Sequence, residues 1–377
     1  MTREYKFINL FRAIAAYWVL CYHCVAWSGW DIAFPSGKIA VDLFMMISGF
    51  LMVANAEARE AREPLDHWRN WCRFWMRRYF RIAPVYYLAL ALAVLSSTYF
   101  LGGYAELQRL NPDAWPPGGT YDPSNFHYDT TTILMHLSFL FGLHPIYSSS
   151  TYLPDWSLGL EMQFYLFFPA LWLLMRRFGF LRTGVLLGGA TFVAGYLLAK
   201  KVHYMEPSLL LFKLNYFVAG MLLFKALASV TAQRQRWLQI LGATLLVSMD
   251  IRYHWQLPFE ALLLLSMAMI GRLETRGAMP RLMEKLLDSR GLHLASEASY
   301  SVYLLHGFFI SAFGLILSNY SAGASPSAAP RFALMLFFVT LGSYAAAFLV
   351  FRKVEQPGVR IGKRFLRRVA APPTRIA

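Results

Sequence analysis

The sequence predicts an all-α fold: a polytopic integral membrane helical bundle of about ten transmembrane helices, with both termini cytoplasmic. Three observations carry that reading. Apolar residues fill 57% of 377 positions, charged residues only 15%, and mean hydropathy is +0.40, which is too apolar for a soluble core of this size. Apolar runs, several of them short, recur from residue 7 to residue 350 as candidate spans. Lys and Arg collect in every second connection between those runs, as the positive-inside rule requires. The formal charge of +15 therefore reads as topology, and nucleic acid, the partner it would suggest in a soluble chain, is not expected. No repeat or linker marks a second folded unit, so residues 1–377 are expected to form a single membrane domain.

The runs lie near residues 7–27, 38–55, 80–101, 157–175, 183–199, 208–226, 237–250, 257–271, 298–318 and 332–350. With the N-terminus inside, 28 of the 36 Lys and Arg fall on the inner side, from Arg3 and Lys6 to Arg375. Six fall outside, Lys38, Arg109, Lys200, Lys201, Arg252 and Arg331, while Arg12 and Lys213 stay within spans. The opening MTREYK leads into a span-length stretch with no small-residue cleavage site, so the first span is expected to be an uncleaved anchor. The outer segment, about residues 102–155, is rich in turn formers (NPDAWPPGGTYDPSN). Its short apolar piece, TTILMHLSFLFGLHP, predicts an interfacial or re-entrant helix, because a crossing there would invert every later loop and abolish the charge bias. A basic tail, about residues 352–377, closes the chain.

Ionisable groups inside the spans point to chemistry. The first span, INLFRAIAAYWVLCYHCVAW, carries Arg12 and His23. Their spacing is three helical turns, so both side chains share one face about 16 Å apart, and each needs a partner within the protein. The second span, KIAVDLFMMISGFLMVA, places Asp42 a turn inside its start, and the fourth, LPDWSLGLEMQFYLFFP, places Glu161 in the same layer as His23. A carboxylate that orients an imidazole raises its basicity for general-base work on a hydroxyl. A structural polar network joining the three spans is the other reading. Ahead of the third span, WCRFWMRRYFRIAPVYY sets Arg78 and Arg81 three apart on one face, next to Arg77. That shape suits a phosphate clamp and equally the positive-inside rule. The ninth span, SYSVYLLHGFF, puts His306 near mid-membrane beside Tyr300 and Tyr303, as a packing donor or a pocket wall. Cys21 and Cys24 bracket His23, but zinc needs further ligands and Cys72 belongs to the inner side, so no metal is expected.

Taken together and in order, these motifs resemble the acyltransferase-3 family: Arg12 and His23 in their spacing, GKIAVDLFMMISGFLM, Arg78-Tyr79-Phe80-Arg81, WSLGLEMQFYLFFP, SYSVYLLHG and the closing VEQPGVR. The resemblance spans about residues 7 to 358 and implies a ten-span O-acyltransferase of the cell membrane, similar to bacterial exopolysaccharide and O-antigen acetyltransferases. It implies acetyl-CoA, or another acyl-CoA, as a cytoplasmic co-substrate with no permanently bound cofactor. The implied acceptor is a hydroxyl of a carbohydrate or glycolipid on the far side of the lipid bilayer. Carried over by position, His23 is the catalytic histidine, Arg12 its motif partner, and Arg78 and Arg81 contacts of the CoA phosphates. Glu161 and Asp42 complete the expected catalytic group, and Arg77, Trp156, Tyr165, Tyr303 and His306 the expected binding group.

Two departures bear on mechanism. Some relatives carry a soluble hydrolase-like transferase domain after the last span, whereas this chain ends about 25 residues beyond it. Transfer is then expected to finish within the membrane domain or to pass to another protein. Met162 stands where relatives commonly have a second acid, leaving Glu161 the sole acidic candidate of its motif. Intramembrane His, Asp and Glu also serve proton-coupled transporters, but those show two similar halves, which this chain lacks. An acyltransferase with a small-molecule acceptor is the other alternative.

Overall fold

The computed structural model of the chain describes residues 4–119, 121–126, 128–228, 232–249, 256–320 and 327–370. Arg3, Arg252 and Arg375, counted among the topology charges, lie outside the described residues. The elements are α1 (Lys6–Ser28), α2 (Gly37–Arg59), α3 (Trp68–Leu95), α4 (Ser97–Leu110), α5 (Thr130–Leu137), α6 (Trp156–Phe178) and α7 (Phe180–Ala199). They continue with α8 (Leu210–Leu227), α9 (Gln233–Val247), α10 (Leu257–Arg276), α11 (Arg281–Leu287), α12 (Arg290–Tyr320), α13 (Ala328–Val350) and α14 (Gln356–Ala370). A π-helical turn, Phe351–Glu355, joins the last two.

The fold is the all-α membrane bundle. Among the described residues eight helical segments are long and apolar enough to cross a bilayer: α1, α2, α3, α6, α7, α8, α12 and α13 with its continuation. The expected seventh and eighth spans coincide with α9 and α10, which are not among the eight: α9 has only 15 residues, and α10 carries Glu260, Arg272, Glu274 and Arg276. The third span differs from expectation at both ends. Its helix starts at Trp68, well before the apolar run, and breaks at Ser96, so the predicted 80–101 straddles α3 and α4. The eight-residue α5 is about 12 Å long, far short of a bilayer, in line with a helix that does not cross.

Ionic contacts gather the helix ends into one arginine-rich face. Lys225 pairs with Glu57 and Arg176 with Glu60, which ties the C-terminal ends of α8 and α6 to that of α2. The Glu274 carboxylate near the end of α10 accepts from the Lys6 and Phe7 backbone N–H groups (3.0 and 2.8 Å), satisfying donors that the first turn of α1 cannot pair internally. At the other end α1 stops at Gly29, whose φ of +70° suits only glycine here, and the Asn111 side chain fills the space beside it.

Helix α8 is the centre: 83% of its apolar window is buried, against 22% for α7. It meets α2 at backbone distance, with Gly49 against the Phe217 carbonyl and Gly220 against the Met46 carbonyl. No side chain larger than hydrogen fits at either crossing point, so the two helices pack closely enough to bury what lies between them.

Candidate active site

Helix α12 packs along α1 and supplies a partner for each group of the Arg12–His23 stripe. Arg12 Nη2 donates to Ser299 Oγ (3.1 Å), and His23 Nδ1 lies 2.9 Å from His306 Nε2, with the two rings stacked at 4.9 Å. The other nitrogen of His306 fixes the direction of that bond. His306 Nδ1 is 2.8 Å from the Tyr303 carbonyl and 3.3 Å from that of Val302; a carbonyl only accepts, so Nδ1 carries the hydrogen. In the neutral pair His306 Nε2 is therefore the acceptor and His23 Nδ1 the donor. The second nitrogen of His23, Nε2, keeps its lone pair, the state a general base requires.

Three cavities lie in series through the bundle. At the arginine-rich end, about 370 Å³ is bounded by α1, α3, α12, α14 and the π-helical turn. It adjoins, at Arg12 and Arg81, a central cavity of about 400 Å³ whose walls include Arg78, Glu161, Tyr165 and Ser48. The central cavity adjoins, at Val41 and Tyr303, a third of about 230 Å³ under the segment between α4 and α6, and that one is lined by both His23 and His306. Aromatic walls dominate there, with the Trp27 and Trp115 rings stacked 4.1 Å apart.

A family model described as an acyltransferase domain matches residues 5–350, nearly the whole chain. The chain belongs to the acyltransferase-3 family. The chain is also similar to the peptidoglycan O-acetyltransferase OatA of Listeria monocytogenes, with 28% identity over 170 residues, which is 43% of this chain and 23% of that relative. The match thus spans under a quarter of the relative's length. No solved structure matches the chain.

Within the chain the expected site residues divide in a way their sequence positions do not reveal. His23 is not oriented by a carboxylate; its ring partner is His306. Asp42, fully buried, is taken by Lys213 Nζ (3.0 Å), and Tyr216 donates to the neighbouring Glu260 (2.6 Å) in the same cluster between α2, α8 and α10. Glu161 accepts from Ser48 Oγ (3.1 Å) and Tyr165 OH in the central cavity, one compartment away from His23. Arg78 sits over the rings of Phe74 and Tyr165 (5.5 and 5.6 Å) with its Nε unbonded, facing the same cavity. Arg81 lies between two cavities, 3.5 Å from Glu355. Arg77 turns away and pairs with Glu63 (2.7 Å). Tyr303 bonds Ser157 (2.9 Å) at the constriction, and Trp156 lines the third cavity.

Two side chains take partners that the sequence reading did not give them. His306, expected as a pocket wall or packing donor in the binding group, is the ring partner of His23. Lys213 was a cation left within a span, and such a group demands a counter-ion; Asp42 supplies it. Among the described residues no group of three or more His, Cys, Asp or Glu is placed to hold a metal, and Cys21, Cys24 and Cys72 are free thiols.

Proposed function

We propose that this acyltransferase is an O-acetyltransferase of the cell membrane, moving an acetyl group from acetyl-CoA to a hydroxyl of a carbohydrate or glycolipid. The observation that carries this reading is the series of three cavities, because it leads from a cluster of cationic side chains to an imidazole with a free lone pair. The arginine-rich end is the cytoplasmic one by the charge bias, so the donor enters there and its pantetheine arm extends past Arg12 and Arg81 into the central cavity. The thioester then lies at the Val41–Tyr303 constriction, next to the histidine pair.

In the reaction, His23 Nε2 takes the proton of the acceptor hydroxyl as its oxygen attacks the thioester carbon. The new C–O bond forms, the C–S bond breaks, and the proton on His23 is passed to the departing CoA thiolate. His306 holds His23 in the tautomer that can do this and shares the positive charge that develops on it. The aromatic walls around Trp27 and Trp115 suit a sugar ring, whose C–H faces pack on such surfaces. The 28% identity with a peptidoglycan O-acetyltransferase supports acetyl as the group and a glycan as the acceptor class.

The test is acetyl transfer by purified protein from labelled acetyl-CoA to surface glycans of cells that lack the gene. The wild type should add the mass of one acetyl group per modified sugar, and His23→Ala should lose about 10²-fold or more in turnover, the usual worth of a general base. Wild-type turnover in His23→Ala, or no use of acetyl-CoA by the wild type, refutes the proposal. An acetylated His23 trapped without acceptor would replace direct attack by a two-step route.

A further inference from the structure

The cavity at the arginine-rich end contains basic side chains to which the sequence reading gave no role. Its walls include Arg360 and Lys363 of α14 and His293 of α12, along with Arg12 and Arg81. Arg360 and Lys363 are exposed, one turn apart on the same helix face, and neither makes a hydrogen bond or ion pair among the described residues. They are therefore unlike Arg77, Lys225 and Arg176 at the same end of the bundle, each of which is engaged with a glutamate.

The way α14 is built accounts for their position. The π-helical turn Phe351–Glu355 adds a residue to one turn of the long α13–α14 rod and so changes the face that the following residues present. Glu355 is brought inward, 1% exposed, where Ser301 Oγ donates to it (3.4 Å) and Arg81 lies 3.5 Å away. Beyond the turn, Gly358 and Gly362 lie against Pro84 and Phe80 of α3, so that a one-turn stripe of glycine lets α14 press onto α3. That contact anchors a strongly basic helix beside the cavity instead of leaving it to float on the membrane surface, and it sets Arg360 and Lys363 on the wall that Arg81 of α3 shares.

We infer that this cavity is the nucleotide subsite of the donor: Arg360, Lys363 and Arg81 hold the phosphates of a 3′-phosphorylated adenosine diphosphate, and the central cavity, with Arg78, receives the phosphate-free arm. The inference rests on acetyl-CoA being the donor. It transfers the phosphate-holding role from the Arg78–Arg81 pair to a cluster formed only when α14 docks on α3. A phosphate group matches the donor set, since guanidinium and ammonium groups within one turn can share its oxygens. The volume of about 370 Å³ and its junction with the reaction path at Arg12 and Arg81 match a bulky head group whose tail continues inward, rather than a lipid head group whose tails must stay in the bilayer.

The experiment compares two donors, acetyl-CoA and S-acetylpantetheine, which lacks the nucleotide, using full-length protein in lipid nanodiscs. Arg360→Ala and Lys363→Ala should each lower the ratio of kcat/KM for acetyl-CoA to that for S-acetylpantetheine by about tenfold, the weight of one charged hydrogen bond. The inhibition constant of adenosine 3′,5′-bisphosphate against acetyl-CoA should rise in parallel, and Arg360→Lys should recover most of the loss. An unchanged ratio, including equal losses with both donors, overturns the inference, as does a requirement for anionic lipid with no competition by the bisphosphate. If the wild type uses neither donor, it is the O-acetyltransferase reading that fails; if it uses both and the variants leave the ratio alone, only the nucleotide subsite fails.

Discussion

Replacing His306 by Ala tests whether a second histidine, rather than a carboxylate, prepares His23. In the structure His306 Nε2 accepts from His23 Nδ1 at 2.9 Å, and its own hydrogen is held by the Tyr303 and Val302 carbonyls. If His23 takes the acceptor proton as proposed, that bond becomes one from an imidazolium, and a hydrogen bond to a charged group is worth about 1.5–3 kcal/mol. At about 1.4 kcal/mol per factor of ten, His306→Ala should lower kcat by roughly 10- to 100-fold. KM for acetyl-CoA should hold, because His306 borders the third cavity and neither of the two proposed to hold the donor. His306→Gln, whose side-chain carbonyl can accept from His23, should retain more activity than His306→Ala. The assay is steady-state acetyl transfer by purified variants, with a double-mutant cycle against His23→Ala. Once His23 is gone, His306 has nothing left to orient, so the double variant should be no slower than His23→Ala alone. Full activity in His306→Ala, or multiplicative losses in the double variant, would refute the reasoning.

Other expectations follow from packing. Asp42→Asn should act through stability: breaking a buried ion pair by removing one partner costs about 3–5 kcal/mol, and Lys213 would be left without its bond to Asp42. Thermal unfolding in detergent should show a large fall, the fraction that stays folded should keep near-normal kcat, and Asp42→Asn with Lys213→Met should be less damaging than either change alone. A selective loss of kcat at unchanged stability would return Asp42 to the reaction. Gly220→Ala places a methyl group against the Met46 carbonyl at the α2–α8 crossing. Overpacking of this kind costs about 1–3 kcal/mol or more, read as lower yield and melting temperature; a neutral result would mean the helices are not in backbone contact there.

Much of the fold and one half of the site were legible in the chain itself. Hydropathy and charge spacing report each segment's preference for lipid or water, a local property, so the bundle class and most helices could be read directly. The Arg12–His23 stripe was legible for the same reason, since both residues ride one helix and its pitch sets their relation. Less local features were misplaced. The third helix begins at Trp68 because aromatic and arginine residues extend it beyond the apolar run, and it breaks at Ser96 where hydropathy alone signals nothing.

What the tertiary structure decided is which side chains meet across helices. Depth in the membrane put Asp42, Glu161 and His23 in one layer, but depth says nothing about rotation around a helix axis. On α2, Val41, Met45, Ser48 and Met52 recur at helical spacing and line the central cavity, whereas Asp42, one residue and about 100° further round, faces α8 and Lys213. That rotation is set by the glycine contacts of α2 with α8, two segments far apart in the chain. His23 likewise meets His306, 283 residues away, because α12 lies along α1. Sequence periodicity defines the faces of each helix; only close packing, with its backbone-distance crossings, selects which face each neighbour covers.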